Sequence, residues 1–131
     1  MARSGKFKIL VVDDVKNNLE ILKRRLSSLG YEVFTADNGK KGLKLAEKVG
    51  PDLILLDIEM PVMDGYEVLE KIRAHGKLSG MPVVAVTAAV GPAEKSKLLD
   101  EGFDEVFLKP LKVPEIVKII ESWFQPVDLL D

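Results

Sequence analysis

The chain has 131 residues, of which 47% are hydrophobic and 31% are charged, and its formal net charge is −2. These values are typical of one folded domain with its own core, and they exclude disorder as the main state of the chain. The sequence has no Cys and one His, which excludes disulfide scaffolds, thiolate metal sites, Cys nucleophiles and His-rich metal sites.

The distribution of charge and hydropathy gives expectations about partners and location. The near-neutral charge offers no basic face of the kind that binds nucleic acid directly. No apolar run approaches the ~18 residues of a membrane span, so we expect no membrane association. Residues 1–6 are followed by no apolar segment of the secretory type, so we expect a cytoplasmic location.

Short apolar segments rich in β-branched residues alternate with amphipathic segments along the whole chain. In chain order, the predicted elements are strand 7–12, helix 15–29, strand 31–35, helix 37–49, strand 52–56, helix 64–74, strand 81–86, helix 92–102, strand 105–108 and helix 114–123. The expected helix caps are Asp37 and Asp64, and Gly30 is the expected stop of the first helix. The second strand alternates more than the others, which indicates a sheet edge.

Strict alternation of strands and helices predicts an α/β fold with a parallel sheet covered by helices on both faces. Five strands are too few for an eight-stranded barrel. We therefore predict a (βα)5, flavodoxin-like, doubly wound sheet with strand order 2-1-3-4-5. The expected organisation is an N-terminal extension over residues 1–6, one domain over 7–124, and a C-terminal tail or linker stub over 125–131.

Polar side chains follow four of the five predicted strands. Asp13 and Asp14 follow the first strand, Asp57 the third, Thr87 the fourth and Lys109 the fifth. Because parallel strands all end at the same edge of a sheet, these side chains are expected to converge there. Taken singly, each has a structural alternative: Asp14 is a possible helix cap, Asp57 a turn residue, Thr87 a cap and Lys109 a solvated strand end.

The three carboxylates predict a metal site. In the order 2-1-3-4-5, Asp13, Asp14 and Asp57 meet where the chain reverses direction, and their mutual repulsion would raise their pKa values. Lys109 compensates one negative charge, and a divalent ion would compensate the remainder. Oxygen ligands favour Mg²⁺, with Mn²⁺ as the other possibility, and the backbone carbonyl of Glu59 is available as a further ligand.

A metal held by carboxylates beside a Lys and a hydroxyl suits phosphoryl transfer. Asp57 stands singly at the end of a central strand, so it is the candidate nucleophile that would become an aspartyl phosphate. Lys109 and the Thr87 hydroxyl would then contact phosphoryl oxygens. The chain has no Walker-type glycine loop, so a nucleotide phosphate is not expected, and His75 is assigned a surface role at a helix C-terminus.

Four segments together resemble the receiver domain of two-component response regulators. They are Val11-Val-Asp-Asp14, Leu55-Leu-Asp-Ile-Glu-Met-Pro-Val-Met-Asp-Gly65, Val84-Ala-Val-Thr-Ala88 and Leu108-Lys-Pro110. The motifs occur in the family's order and at strand ends, and the resemblance covers about residues 7–124.

The resemblance implies a phosphorylation switch. Asp57 would accept a phosphoryl group from a histidine kinase or phosphotransfer protein with Mg²⁺, and the domain would catalyse this transfer and its own slow dephosphorylation, without acting as an enzyme on other substrates. The Thr87 hydroxyl would move towards the phosphoryl group, and the face of the fourth helix, fifth strand and fifth helix would rearrange. A downstream effector protein or a fused output domain would receive the signal, and the chain would be a monomer or a phosphorylation-dependent dimer.

The sequence departs from the family pattern on the fifth strand. Receivers often carry an aromatic residue three positions before the Lys, where this chain has Val106, and the neighbouring Phe107 is expected to point to the opposite face. Glu59 and Ala89 occupy positions that tune dephosphorylation in the family. Our hypothesis is that the Glu59 carboxylate alters the lifetime of the phosphoryl group.

Two alternatives to a working receiver stay open at this point. A small Mg²⁺-dependent phosphohydrolase would use Asp57 as nucleophile and Glu59 as general acid and base. A degenerate receiver, suggested by Val106, would act as a constitutive binding module. For a receiver that signals by contact, Ala89, Val90 and Ala93 are candidate docking residues.

Overall fold

The computed structural model describes residues 6–88 and 91–124. The strands are β1 (Lys8–Val12), β2 (Glu32–Ala36), β3 (Leu53–Asp57), β4 (Val83–Thr87) and β5 (Glu105–Leu108). The helices are α1 (Lys16–Ser28), α2 (Gly39–Val49), α3 (Gly65–Ala74), α4 (Pro92–Glu101) and α5 (Val113–Trp123). The predicted alternation of five strands and five helices is confirmed, with boundaries shifted by one or two residues.

The strands form one parallel sheet in the order β2-β1-β3-β4-β5, which confirms the predicted fold class and the edge position of β2. Val12 is paired with Leu56, and Asp57 is paired with Val86. This register places the carboxyl ends of β1, β3 and β4 side by side. Residues that follow those strands therefore share one edge of the sheet.

The core has two layers because the central strands are buried on both faces. Leu56 and Ile54 pack with Ala46 of α2, Ile72 of α3 and Leu98 of α4 on one face. The other layer contains alternate strand residues packed against α1 and α5: Ile9, Val11, Leu53, Leu55, Leu26, Ile116 and Ile120. All five residues of β3 are buried, which explains its unbroken apolar sequence.

Two predicted helix ends are confirmed. Gly30 follows α1 with φ 99°, a left-handed conformation that glycine adopts without a steric cost. Asp64 caps α3, because its Oδ1 accepts a hydrogen bond from the backbone N–H of Glu67 at 3.0 Å. Among the described residues, no helix has the length and apolar character needed to span a bilayer.

The prediction that Asp37 caps α2 is wrong. The cap is Asn38, whose side chain accepts from the N–H of Lys41 at 2.9 Å. Asp37 instead lies 3.2 Å from Lys41 Nζ and 3.9 Å from Lys16 Nζ. The hydrogen bond with Lys41 and the charges of both lysines hold the pKa of Asp37 below its ordinary value.

Asp14 does not cap α1 either. The cap position is Val15, and its N–H donates to Oδ1 of Asp13 at 2.8 Å. Asp14 is exposed at the carboxyl edge of the sheet. The structural alternative for Asp14 is therefore removed, and its carboxylate is available to a ligand at that edge.

Candidate functional site

The three predicted acids converge. One carboxylate oxygen from each of Asp13, Asp14 and Asp57 lies within 4.8 Å of the other two. Asp13 and Asp57 are 6% and 1% exposed, whereas Asp14 is exposed to solvent. Charged groups are rarely buried without a partner, so two buried carboxylates at this distance call for a cation.

Asp57 has one satisfied and one unsatisfied oxygen. Its Oδ1 lies 3.0 Å from Lys109 Nζ and accepts the N–H of Glu59 at 3.1 Å. Its Oδ2 is buried and has no hydrogen-bond partner among the described residues. Burial raises the pKa of Asp57, and the contacts with Lys109 and Glu59 oppose this shift without cancelling it.

The pKa of Asp57 is raised in the direction that the crowding of acids predicts, but burial is the main cause and the charge of Asp13 is a minor one. Lys109 responds in the complementary way. Burial alone would lower the pKa of its amine, but the hydrogen bond and charge of Asp57, together with the charges of Asp13 and Glu59, outweigh burial and raise the pKa. The Lys109–Asp57 pair is therefore a charged pair in which the carboxylate is the more deeply buried member.

A backbone hydrogen bond after β5 and a glycine at the start of α3 position the residues around Asp57. The N–H of Lys109 donates to the carbonyl of Thr87 at 2.8 Å, which continues the β4–β5 pairing beyond β5 and brings Lys109 towards β3. Gly65, at the start of α3, lies so close to β3 that a Cβ there would stand 2.8 Å from the Asp57 carbonyl oxygen. A glycine is therefore needed at position 65, because any side chain there would prevent α3 from packing against the end of β3.

Thr87 lies at the carboxyl end of β4, as predicted, and it is buried. Its hydroxyl already has a hydrogen-bond partner. It donates to Oε1 of Glu59 at 2.8 Å, and the N–H of Ala88 donates to the same oxygen at 3.1 Å. These two hydrogen bonds lower the pKa of Glu59, so its carboxylate is ionised. The sequence indicated Glu59 through its backbone carbonyl and its place after Asp57, but it did not indicate this contact.

Asn18 is a site neighbour that the sequence analysis missed. Its Nδ2 lies 3.4 Å from Oδ2 of Asp13, at the long end of hydrogen-bonding distance. The available signal was its position in the first turn of α1, on the side of the helix that approaches the end of β1.

A cleft of about 440 Å³ leads to the site. Asp13, Asp57 and Lys109 line its polar part. The remaining wall comes from β1, β3, β4, α1 and the segment after β5: Val11, Val12, Leu55, Val86, Asn18, Ile21, Leu22, Arg25, Pro110 and Leu111. Asp57 therefore lies at the wall of a cleft that is otherwise mostly apolar.

The residues outside the acid cluster lie as follows. Val106 is buried among the apolar residues under α4, and Phe107 packs on the opposite face, as predicted. His75 ends α3 and pairs through Nε2 with Glu47 at 3.5 Å, which agrees with a surface role. Ala93 is exposed on α4, and Ala89 and Val90 lie outside the described residues.

Comparison with known proteins identifies the family. The sequence model of the response regulator receiver domain matches residues 9–121, so the chain belongs to this family. Members of the family are phosphorylation-dependent signalling switches, and the chain is such a switch; the hydrolase and constitutive-module alternatives are not favoured. Receiver domains act with histidine kinases or phosphotransfer proteins and with effectors, and they typically bind Mg²⁺ at an acidic cluster.

Two relatives illustrate the family's range. The probable transcriptional regulator ycf27 of Porphyra purpurea is 38% identical over 123 residues, covering 94% of this chain and 49% of the relative. The chain thus spans about half the length of the ycf27 regulators. The polar-differentiation response regulator DivK of Brucella anthropi is 31% identical over 115 residues, covering 88% of this chain and 94% of the relative.

Solved structures show the same fold. The chemotaxis protein CheY4 of Vibrio cholerae superposes with a TM-score of 0.84 at 28% identity, covering 92% of this chain and all of that one. The receiver domain of the sensor histidine kinase PA1611 of Pseudomonas aeruginosa gives 0.80 at 32% identity, covering 92% and 98% of the two chains. That domain was solved with a magnesium ion coordinated in its active-site cleft.

Proposed function

We propose that Asp57 is the phosphoacceptor of this receiver domain. The observation that carries the proposal is the state of its carboxylate: 1% exposed, paired with Lys109 through Oδ1, and without a hydrogen-bond partner for Oδ2 among the described residues. A carboxylate oxygen that lines a cleft and accepts no hydrogen bond keeps its lone pairs available to attack phosphorus. Asp13 and Asp14 are neighbours in the cluster, and within residues 6–88 and 91–124 neither forms an ion pair with a Lys.

The donor set fits Mg²⁺, and Mn²⁺ has the same ligand preference. We assign the ion to Asp13, Asp14, Asp57 and the backbone carbonyl of Glu59, a set made of oxygen ligands only. Three carboxylates against the single amine of Lys109 leave an excess of negative charge, which a divalent cation offsets. Bound there, the ion would supply neutralisation of the acids and of the incoming phosphoryl oxygens.

The transfer itself needs few groups. An Asp57 oxygen forms a bond to phosphorus while the bond from phosphorus to the donor's nitrogen or oxygen breaks, and the leaving atom keeps that electron pair. Lys109 lies beside the acceptor and stabilises charge on the phosphoryl oxygens, and the Thr87 hydroxyl donates to one of them once it is released from Glu59. Slow hydrolysis of the aspartyl phosphate resets the switch.

The role of Glu59 separates this function from a phosphohydrolase. A general acid must carry a proton, whereas the hydrogen bonds from Thr87 and Ala88 hold the pKa of Glu59 below its ordinary value. We therefore propose that the domain catalyses its own phosphorylation on Asp57 and its own slow dephosphorylation, and that it does not turn over other phosphate esters. The proposed donor is a histidine kinase or phosphotransfer protein, and the proposed recipient of the signal is an effector or a fused output domain.

We further propose that residues 7–124 form the receiver unit, flanked by an extension at 1–6 and a tail or linker stub at 125–131. In this proposal the protein acts in the cytoplasm as a monomer or a phosphorylation-dependent dimer, through contacts with protein and not with nucleic acid or membrane.

Intact-mass analysis with acetyl phosphate tests the function. The wild-type chain should gain one phosphoryl group with Mg²⁺ or Mn²⁺ and none with EDTA, and the adduct should be acid-labile. Asp57→Asn should gain none. Asp100→Asn, which changes an exposed acid on α4 away from the site, should match wild type. Multiple rapid turnovers of a phosphate ester would contradict the proposal and support a hydrolase.

A further inference from the structure

The carboxylate of Glu59 holds the two hydrogen-bond donors at the end of β4. Its Oε1 accepts from the Thr87 hydroxyl at 2.8 Å and from the Ala88 N–H at 3.1 Å. Glu59 is an exposed residue of the segment between β3 and α3, and Thr87 is 6% exposed. The Glu59 side chain, which follows β3, thus holds the hydroxyl and the amide at the end of β4 by two hydrogen bonds.

These donors belong to the site assigned above. The backbone N–H of Glu59 donates to Asp57 Oδ1 at 3.1 Å, so the segment that carries the Glu59 carboxylate is anchored to the phosphoacceptor itself. Thr87 and Asp57 end adjacent, paired strands, β4 and β3. A phosphoryl group on Asp57 would therefore carry its oxygens to the region that the Glu59 carboxylate occupies.

We propose that Glu59 is an internal anion that substitutes for the phosphoryl group in the resting domain and must be displaced when Asp57 is phosphorylated. The proposal rests on the function assigned to Asp57. It makes Glu59 a positioning residue, since the residue acts through Thr87 and Ala88 and not on the transferred atoms.

The competition is exclusive because a hydroxyl has one proton. Thr87 can donate to Glu59 or to a phosphoryl oxygen, but not to both. Hydrogen bonds to charged acceptors are stronger than neutral ones, so the resting contact opposes phosphorylation. The exposure of Glu59 limits this opposition, because water competes for the carboxylate and screens its charge. The contact therefore sets a threshold that a phosphoryl group, with its greater charge, can overcome.

Removing the carboxylate should lower this threshold. Glu59→Ala frees both donors, so a phosphoryl mimic should bind more tightly by about three- to tenfold, a range that corresponds to a weak charged hydrogen bond at an exposed site. Glu59→Gln keeps an oxygen acceptor without the charge, so its effect should fall between those of wild type and Glu59→Ala. The order of the three proteins is a signature that simple loss of structure would not produce.

Beryllium fluoride with Mg²⁺ is the probe, because it mimics a phosphoryl group on a carboxylate without covalent turnover. The binding midpoint is measured for wild type, Asp57→Asn, Glu59→Ala, Glu59→Gln and Glu70→Ala, and the Ala88 amide is followed by ¹H–¹⁵N NMR. Glu70 is exposed in α3, so Glu70→Ala reproduces the charge change away from Thr87. Spectra without metal or ligand report the resting contact separately.

We expect the Ala88 amide resonance to move in both Glu59 variants and to stay fixed in Glu70→Ala, and the midpoint to fall in the order wild type, Glu59→Gln, Glu59→Ala. An unchanged Ala88 amide, or a Glu59→Ala midpoint equal to or above that of wild type, would overturn the proposal. If wild type and Asp57→Asn respond alike to beryllium fluoride, the function assigned to Asp57 fails as well. Binding of beryllium fluoride that depends on Asp57 but not on Glu59 would overturn only the proposed role of Glu59.

Discussion

The Nζ atom of Lys109 lies 3.0 Å from Oδ1 of Asp57, while Oδ2 of the same carboxylate is buried without a hydrogen-bond partner among the described residues. Lys109 therefore pairs with only one of the two oxygens of the Asp57 carboxylate. Two further carboxylates, from Asp13 and Asp14, stand within 4.8 Å. Burying these carboxylates beside a single amine costs stability, and a divalent cation bound between them would reduce that cost.

Mg²⁺ should stabilise the folded domain. A ligand that binds the folded state adds about 1.4 kcal/mol to the free energy of unfolding at ten times its dissociation constant. We expect urea midpoints to rise with Mg²⁺ in wild type and in Asp100→Asn, the surface control. Asp13→Asn should lose most of the rise, because it removes one charged ligand. An equal rise in Asp13→Asn would count against the assigned ligand set.

Asp57→Asn should stabilise the metal-free domain. The pKa of Asp57 is raised above the 3.8 of an ordinary Asp, so the folded state binds more protons than the unfolded state once the pH exceeds that value. Its contribution to stability is present in acid and is lost as the pH rises through the folded pKa. Asn carries no charge, so the variant should be more stable near neutral pH by roughly 1 kcal/mol.

The measurement is urea unfolding of wild type and Asp57→Asn in EDTA across a pH series. The difference should vanish in acid and grow towards neutral pH. A variant that is less stable than wild type at neutral pH would show that the Lys109 pair outweighs the burial of Asp57.

Lys109→Ala should uncouple metal binding from phosphorylation. The variant keeps all three acids, so Mg²⁺ should still raise its urea midpoint. Loss of the cation beside the acceptor should slow phosphorylation by acetyl phosphate by roughly tenfold or more. Lys112→Ala changes an exposed lysine a few residues further on and should retain the wild-type rate. Equal rates in the two variants would remove Lys109 from the mechanism.

Glu59→Asn should lengthen the life of the phosphoryl group. The carboxylate accepts hydrogen bonds from Thr87 and Ala88, so its removal should leave both donors to the phosphoryl oxygens. We expect dephosphorylation, followed by intact mass after donor removal, to slow by about twofold or more. A rate identical to that of wild type would contradict the hypothesis that Glu59 sets this lifetime.

Arg73→Ala should weaken the fold and spare the site. The guanidinium donates to the carbonyls of Ser79, Met81 and Gly102 and pairs with Asp104 at 3.1 Å. Its loss should lower the free energy of unfolding by about 1–3 kcal/mol, since several acceptors lose a charged donor. Arg24→Ala, on the exposed side of α1, is the control and should change little. Phosphorylation of the folded fraction should match wild type in both.

The convergence of the acids was predictable because it depends on topology. Once the strands are parallel and in the order 2-1-3-4-5, the residues that follow β1 and β3 must lie next to each other at the carboxyl edge of the sheet. The Asp64 cap was also predictable, since its motif is local. The cap of α2 was not, because Asp37 and Asn38 are adjacent capping residues, and only the structure shows Asp37 paired with the side chains of Lys41 and Lys16 while Asn38 accepts from the Lys41 N–H.

The contact of Glu59 with Thr87 was beyond the sequence for a related reason. Glu59 is exposed, and an exposed glutamate has many rotamers. Its orientation is set by the two donors that β4 presents, and these are fixed only when the sheet is assembled. The sign of the pKa shift of Asp57 could be predicted from charge, whereas its main cause, burial, required the packed structure.

Site mapping of the phosphoryl adduct tests the central claim most directly. The phosphorylated chain is reduced with borohydride, which converts an aspartyl phosphate to homoserine, and its peptides are sequenced by mass spectrometry. The account predicts one converted residue, Asp57, in samples treated with acetyl phosphate and Mg²⁺ and none in samples with EDTA. Conversion at Asp13, Asp14 or any other position, with Asp57 unmodified, would contradict it.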